Sequence, residues 1–186
     1  MDDNLLGQLL IAMPGLKDPR FQKSVILICE FSKAAIMGLI LNKEIIDLKL
    51  NTLLDKIKVS KNENFFNQSI FNGGPVHTSQ GFILHAGNDK YKTTEQIINN
   101  ISITTSIEIL EDFAHNKGPE VNKIFMGCSV WEYDQFNREM HENSWLTLKA
   151  DEELIFGNPS NELLWSKCLN QLGIKEENLV TFSGNA

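Results

Sequence analysis

Few side chains in this sequence are spaced for chemistry. The four histidines, His77, His85, His115 and His141, make no His-Glu-x-x-His pair and no Cys/His set at zinc-ligand spacing. No metal site is expected, and a half-buried or exposed imidazole is the simpler reading of each. His77 and His85 flank one turn-rich stretch and could come near each other. A serine hydrolase would carry Gly-x-Ser-x-Gly at a strand-to-helix elbow. Gly127-Cys128-Ser129-Val130 meets only the context, a strand followed by a helix. Neither Cys128 nor Ser129 has a base that the sequence identifies, and a free cysteine in an apolar run is most often buried and inert. No catalytic residue is assigned. Glu108, Glu111 and Asp112, and later Asp151-Glu152-Glu153, read as solvated helix faces or N-terminal turns. Trp131, Trp145 and Trp165 join apolar patterns and read as core or interface anchors. Base stacking would want interleaved Arg or Lys, yet Glu132, Asp134 and Glu139 surround Trp131.

The most constrained backbone lies between Ser69 and His85. Apolar runs Ile70-Phe71 and Phe82-Ile83-Leu84 flank Asn72-Gly73-Gly74-Pro75. Glycine takes positive φ at little cost, and proline fixes φ while steering its predecessor away from the helix. A hairpin-like bend is expected, with N–H groups near the surface where an anion or peptide could meet them. The spacing fits neither a P-loop nor a dinucleotide fingerprint, and no helix pattern follows to hold a phosphate. No cofactor is expected.

The elements that must carry these residues follow from the hydrophobic pattern. Leu5–Met13 reads as a strand ended by Pro14-Gly15. Val25–Cys29 is unbroken apolar sequence within Phe21–Glu30, a strand covered on both faces. Ile36–Asn42 is a third strand, in which Gly38 suggests a bulge or a close backbone approach. Thr52–Ile57 reads as a short helix, Ser60–Gln68 and Asn88–Thr94 as loops, and Ile97–Ile103 as a strand weakened by Asn99-Asn100. Ser106 caps a helix running to about Asn116, stopped by Gly118-Pro119. Val121–Val130 is a buried strand ending near Gly127. Trp131–Glu142 is an amphipathic helix, and Trp145–Leu148 a strand. Asn158-Pro159 opens a last helix whose core face is Leu163, Leu164, Cys168, Leu169 and Leu172, and Gly173 ends it. The order is no regular βαβα alternation, so the class is α+β, a mixed sheet partly covered by helices.

Composition sets the outer bounds. The chain has 186 residues, 42% hydrophobic, with net charge −7 and three cysteines. One domain over residues 1–186 is expected, with 175–186 a loose tail. The acidic balance argues against a nucleic-acid binder, which needs a basic stripe. Cys29, Cys128 and Cys168 form no disulfide framework, which suits a reducing cytoplasm. The acidic start is unlike a secretory signal, and Leu5–Met13 is too short to span a bilayer. The chain is expected to be cytoplasmic, with no membrane partner.

Several stretches together resemble the YqgE/AlgH family of bacterial proteins. They run from Leu9 through Pro14-Gly15 to Phe21, then Gly38-Leu39-Ile40-Leu41-Asn42, Gly73-Gly74-Pro75-Val76, and Gln80-Gly81-Phe82-Ile83-Leu84-His85. Thr104-Thr105-Ser106, Gly127, Trp131, Gln135 and Glu139, and Asn143-Ser144-Trp145-Leu146 follow in order. The resemblance implies a mixed sheet that bifurcates and curls into a pseudo-barrel with helices outside. It brings no catalytic residue or cofactor, although the family is labelled a transcriptional regulator in places. Cys128 and Val130 stand where the family usually has an aromatic residue and a glycine, and the ending is shortened to Phe182-Ser183-Gly184-Asn185-Ala186.

The matching residues cluster at turns, and turns often surround one concavity at a sheet end. The expected pocket comprises Pro14, Gly15, Asn42, Asn72, Gly73, Gly74, Pro75, Gln80, Gly81, His85, Trp131 and Gln135. The expected role is a non-enzymatic binding or regulatory module for a partner protein or small-molecule ligand. The alternatives are a hydrolase or transferase using Cys128, Ser129 or His85, and a DNA-binding regulator.

Overall fold

The computed structural model describes residues 4–64, 66–87, 91–157, 161–176 and 179. Its centre is a ten-stranded mixed sheet. The first three strands are β1 (Gln8–Ala12), β2 (Val25–Phe31) and β3 (Ile36–Ile40), paired antiparallel in sequence order. Their unbroken apolar runs are explained by burial on both faces. Leu9, Ile11, Val25, Leu27 and Leu39 point into one core, and Leu10, Ala12, Ile26, Ile28 and Ile40 into a second. Between β2 and β3 the register slips beside Cys29. Gly38 lies opposite, where an added Cβ would come within 2.9 Å of Leu27 O, so the close approach expected there is present.

Next come β4 (Glu44–Lys49), α1 (Leu50–Lys56), β5 (Ser69–Asn72) and β6 (Val76–Ala86). They are followed by β7 (Glu95–Ile98), β8 (Ile101–Thr104) and α2 (Glu108–Ala114). The chain continues through β9 (Asn122–Trp131), α3 (Tyr133–His141) and β10 (Trp145–Lys149), then α4 (Glu152–Phe156) and α5 (Asn161–Gln171). The strand order is β10-β1-β2-β3-β9-β6-β8-β7, with β4 and β5 branching off β9.

The branch point is β9. On one edge it meets β6 antiparallel. On the other, its first half pairs with β5 in parallel (Ile70↔Ile124) and its last residues pair with β3 antiparallel (Gly38↔Ser129). One strand therefore serves two diverging ladders, and the sheet curls and bifurcates as the resemblance implied.

The hairpin expected across Gly73–Pro75 is not formed. β5 and β6 both pair with β9, which passes between them. The sequence pattern could not show this, because the intervening strand lies some fifty positions later. Two further expectations need correcting. Ile97–Ile103 is a tight antiparallel pair, β7 and β8, in which Asn99-Asn100 form the two-residue turn and Asn99 takes φ 45. Asparagine tolerates that region, so the residues that weaken a strand here build its turn. β9 does not end near Gly127 but runs through it to Trp131. β4 and α4 were not anticipated, and the first helical turn of α2 is preceded by Ile107 rather than Ser106. Asn158-Pro159 and most of the expected tail lie outside the described residues.

Three layers cover the sheet. α4 and α5 place Leu154, Ile155, Leu164, Trp165, Cys168 and Leu169 in the first core, with Leu172 packed against it. Leu163, expected on that face, is instead exposed, because Trp165 takes the inward position. α3 closes the second with Phe136, beside Trp131 and Trp145. α1 and α2 cover the branch with Leu50, Leu54, Ile109 and Phe113 over Ile70, Ile83 and Ile124. Trp165 is pinned to the sheet by its indole N–H, which donates to Ala12 O at 2.8 Å.

Candidate binding site

A cavity of about 320 Å³ opens where the turn after β1 faces the turn between α3 and β10. Met13, Pro14, Gly15 and Leu179 supply an apolar wall, and Glu142, Asn143 and Ser144 the polar rim. Local sequence explains both turns. Proline and glycine stop β1, and Asn143 takes φ 55 to end the helical segment. Met13 N–H donates to Ser144 O at 3.0 Å and holds the turns together.

Beside this cavity lies a clasp that the sequence did not reveal. Trp131 Nε1 and Trp145 Nε1 both donate to Glu139 Oε2, at 3.0 and 2.8 Å. Gln135 Nε2 donates to Glu139 Oε1 at 2.8 Å. The indoles meet edge to face, 5.9 Å apart, and Phe21 packs on both. Glu139 joins the end of β9 to the start of β10 through one carboxylate. As a pair, Gln135 and Glu139 stand out in the sequence only through the resemblance; that Glu139 gathers both indoles and Gln135 shows only in the fold.

The remaining expected site residues fall in separate places. Asn42 bridges the strand ends, with Oδ1 accepting from Val25 N at 2.9 Å and Nδ2 donating to Lys23 O at 2.8 Å. Asn72, Gly73 and Gly74 lock onto β9. Gly73 N–H donates to Met126 O at 2.9 Å, and Gly74 N–H to Asn72 Oδ1 at 3.1 Å. Both glycines are buried, so these N–H groups do not face the surface as anticipated. Pro75 follows, half-buried. Gln80 is exposed on β6, and Gly81 has open space around it. His85 is fully buried, its Nε2 2.9 Å from Thr104 Oγ1. It shares β6 with His77, but β6 bulges between Val76 and Gly81, and the stretch from Val76 to His85 lies against β9 from Cys128 to Asn122. That places the two imidazoles roughly 20 Å apart, so they do not meet. Of the twelve residues, Pro14 and Gly15 line the cavity and Trp131 and Gln135 belong to the neighbouring clasp.

A second cavity of about 240 Å³ lies under α1 and α2, between Phe66, Phe113 and the Gly118-Pro119 turn. None of the twelve lines it.

The nucleophile candidates are enclosed. Cys128 is 1% exposed, and burial pushes its thiol up to about 11. Ser129 is fully buried and donates to Gly73 O at 3.3 Å. Both face backbone and core. Among the described residues no three His, Cys, Asp or Glu side chains converge as around a metal ion. No described helix is long and apolar enough to cross a membrane.

Fold and site define an α+β protein on a curled, branched sheet, with a cavity at two facing turns. The chain belongs to the AlgH-like family, whose model matches residues 9–177. It is 39% identical to a UPF0301 protein of Vibrio cholerae over 189 residues, 98% of this chain and 100% of that one. A UPF0301 protein of Buchnera aphidicola is 39% identical over 174 residues, 92% of each chain. The solution structure of the AlgH protein from Pseudomonas aeruginosa superposes with a TM-score of 0.77 at 32% identity, covering 100% of this chain and 96% of that one. A protein of Corynebacterium diphtheriae at 18% identity gives a TM-score of 0.70 over 99% and 94% of the two chains, a likeness of fold alone.

Proposed function

We propose that the protein is a cytoplasmic, non-enzymatic binding module, one that holds a ligand or partner segment at the cavity beside Pro14 and Gly15. The supporting observation is the cavity itself, about 320 Å³ between two turns that are tied to each other and to the indole clasp. That volume falls at the small end of the range for small-molecule sites. The apolar wall suits an alkyl or aryl body. The Glu142 carboxylate and Asn143 on the rim suit a hydrogen-bond donor, so a small amine or a basic side chain of a partner peptide fits best. The burial of Cys128 and Ser129 weighs against the hydrolase reading.

Gly15 offers a clean test, because an added Cβ there meets nothing within 4 Å. Titrating alkyl and aryl amines and short basic peptides should move the amide resonances of Met13, Gly15, Asn143 and Ser144 in the wild type. Gly15→Trp should fill the cavity and abolish the response without unfolding the chain. If those four resonances stay still across the whole panel, the reading fails.

A further inference from the structure

Lys123 stands on β9 with its Nζ 4.1 Å from the centre of the Phe71 ring. Phe71 packs in turn on Phe125, ring centres 5.8 Å apart, so the amine sits on an aromatic platform. Among the described residues, no carboxylate lies within ion-pair distance of it. The acid whose charge reaches it, Glu44, is bonded to Lys49 Nζ at 2.8 Å, and Lys49 also donates to Ser69 Oγ at 2.6 Å. Lys23, Lys61 and Lys167, by contrast, each hold a carboxylate directly. The half-buried Lys123 ammonium has lost water and gained only a ring face, which is worth less than an anion.

We propose that Lys123 is the preferred acyl-acceptor amine of this chain, modified on Nζ by a small activated acyl group. The donor is a thioester or an acyl phosphate. The lone pair of the neutral amine attacks the carbonyl carbon and a C–N bond forms. The C–S bond of the thioester, or the C–O bond of the acyl phosphate, breaks with its electron pair leaving on the thiolate or phosphate. The excess proton on nitrogen passes to water. The product is an uncharged amide over Phe71, which ends the cost of holding a cation there.

Desolvation lowers the Lys123 pKa to about 8, with Glu44 pulling the other way. The neutral fraction near neutrality then exceeds that of an ordinary lysine by about two orders of magnitude. Lower basicity and partial burial take back part of that advantage, as lower pKa does for thiols. A net rate advantage of about fivefold or more is expected.

The folded protein is incubated with S-acetyl-N-acetylcysteamine in one arm and acetyl phosphate in the other, and the occupancy of each lysine is followed by peptide mass spectrometry. At about pH 7, Lys123 should be acetylated at least about fivefold faster than exposed Lys33 and Lys149. The advantage should narrow toward about pH 9, as ordinary lysines begin to deprotonate. It should vanish in concentrated urea, where the platform is gone. An advantage in one arm only supports the site and identifies its donor. Rates at Lys123 no faster than at Lys33 and Lys149 in both arms, or an advantage that survives unfolding, overturn the proposal.

Discussion

Glu139 is the residue on which the indole clasp turns. One carboxylate accepts from Trp131, Trp145 and Gln135, and its removal strands two partly buried indole donors. A buried donor without an acceptor costs more than the bond itself contributed. Glu139→Ala should therefore destabilise the protein by about 2 to 3 kcal/mol, whereas Glu139→Gln, which keeps an acceptor, should lose less than half of that. Urea midpoints at unchanged slope would measure both, and the tryptophan emission should shift to the red in the alanine variant. The thiols carry a second expectation at this scale. Cys29, Cys128 and Cys168 are all buried. An aromatic disulfide reagent should label none of them in the native state and all of them after unfolding. Rapid labelling of the folded chain would contradict the described packing.

At the scale of elements, the telling feature is three glycines meeting at the branch. A Cβ on Gly73 would lie 2.2 Å from Gly127 O, and one on Gly74 would lie 2.3 Å from Cys128 C. Gly74 and Gly127 also take φ 152 and 73. These contacts are backbone on backbone, so neither side can swing aside. Gly74→Ala or Gly127→Ala should cost about 3 kcal/mol or more, combining positive-φ strain with overlap. Thermal unfolding of the two variants would check this, and a loss below about 1 kcal/mol would mean that the strands are not so close. The same feature explains how far the sequence could be read. β1, β2 and β3 were legible because apolar runs report burial directly. Gly73-Gly74-Pro75 was legible as a special backbone, but its partner was not, because nothing local says that residues 124–129 will lie against it. β4 was missed because its inward residues, Ile45 and Leu48, alternate with exposed Ile46 and Asp47 out of phase. At the site, the Pro14-Gly15 turn was visible as punctuation. Asn143-Ser144 stood out only as part of the resemblance, and nothing local said that Glu142–Ser144 would face that turn.

For the whole molecule, alkaline pH should oppose folding. Burial raises the thiol pKa of Cys29, and raises Cys128 and Cys168 to about 11. The folded state therefore keeps protons that the unfolded chain releases above its ordinary thiol range. Lys123 acts with the opposite sign, because its lowered pKa makes the unfolded state bind more protons above about pH 8. Three raised thiols outweigh one lowered amine, so stability should fall as pH rises from about 9 to about 11. Replacing the cysteines with alanine should abolish that fall and leave the opposite, Lys123-driven rise, as read by denaturant titrations at each pH.

The place of β9 also bears on synthesis at the ribosome. The strand that joins both ladders is made only after residue 122 has been added. Until then β3, β5 and β6 have no common neighbour, and their unpaired edges stay open to other chains. A nascent chain stalled short of that point should remain sensitive to protease, and one stalled well beyond it, with the exit tunnel cleared, should become resistant in a single step.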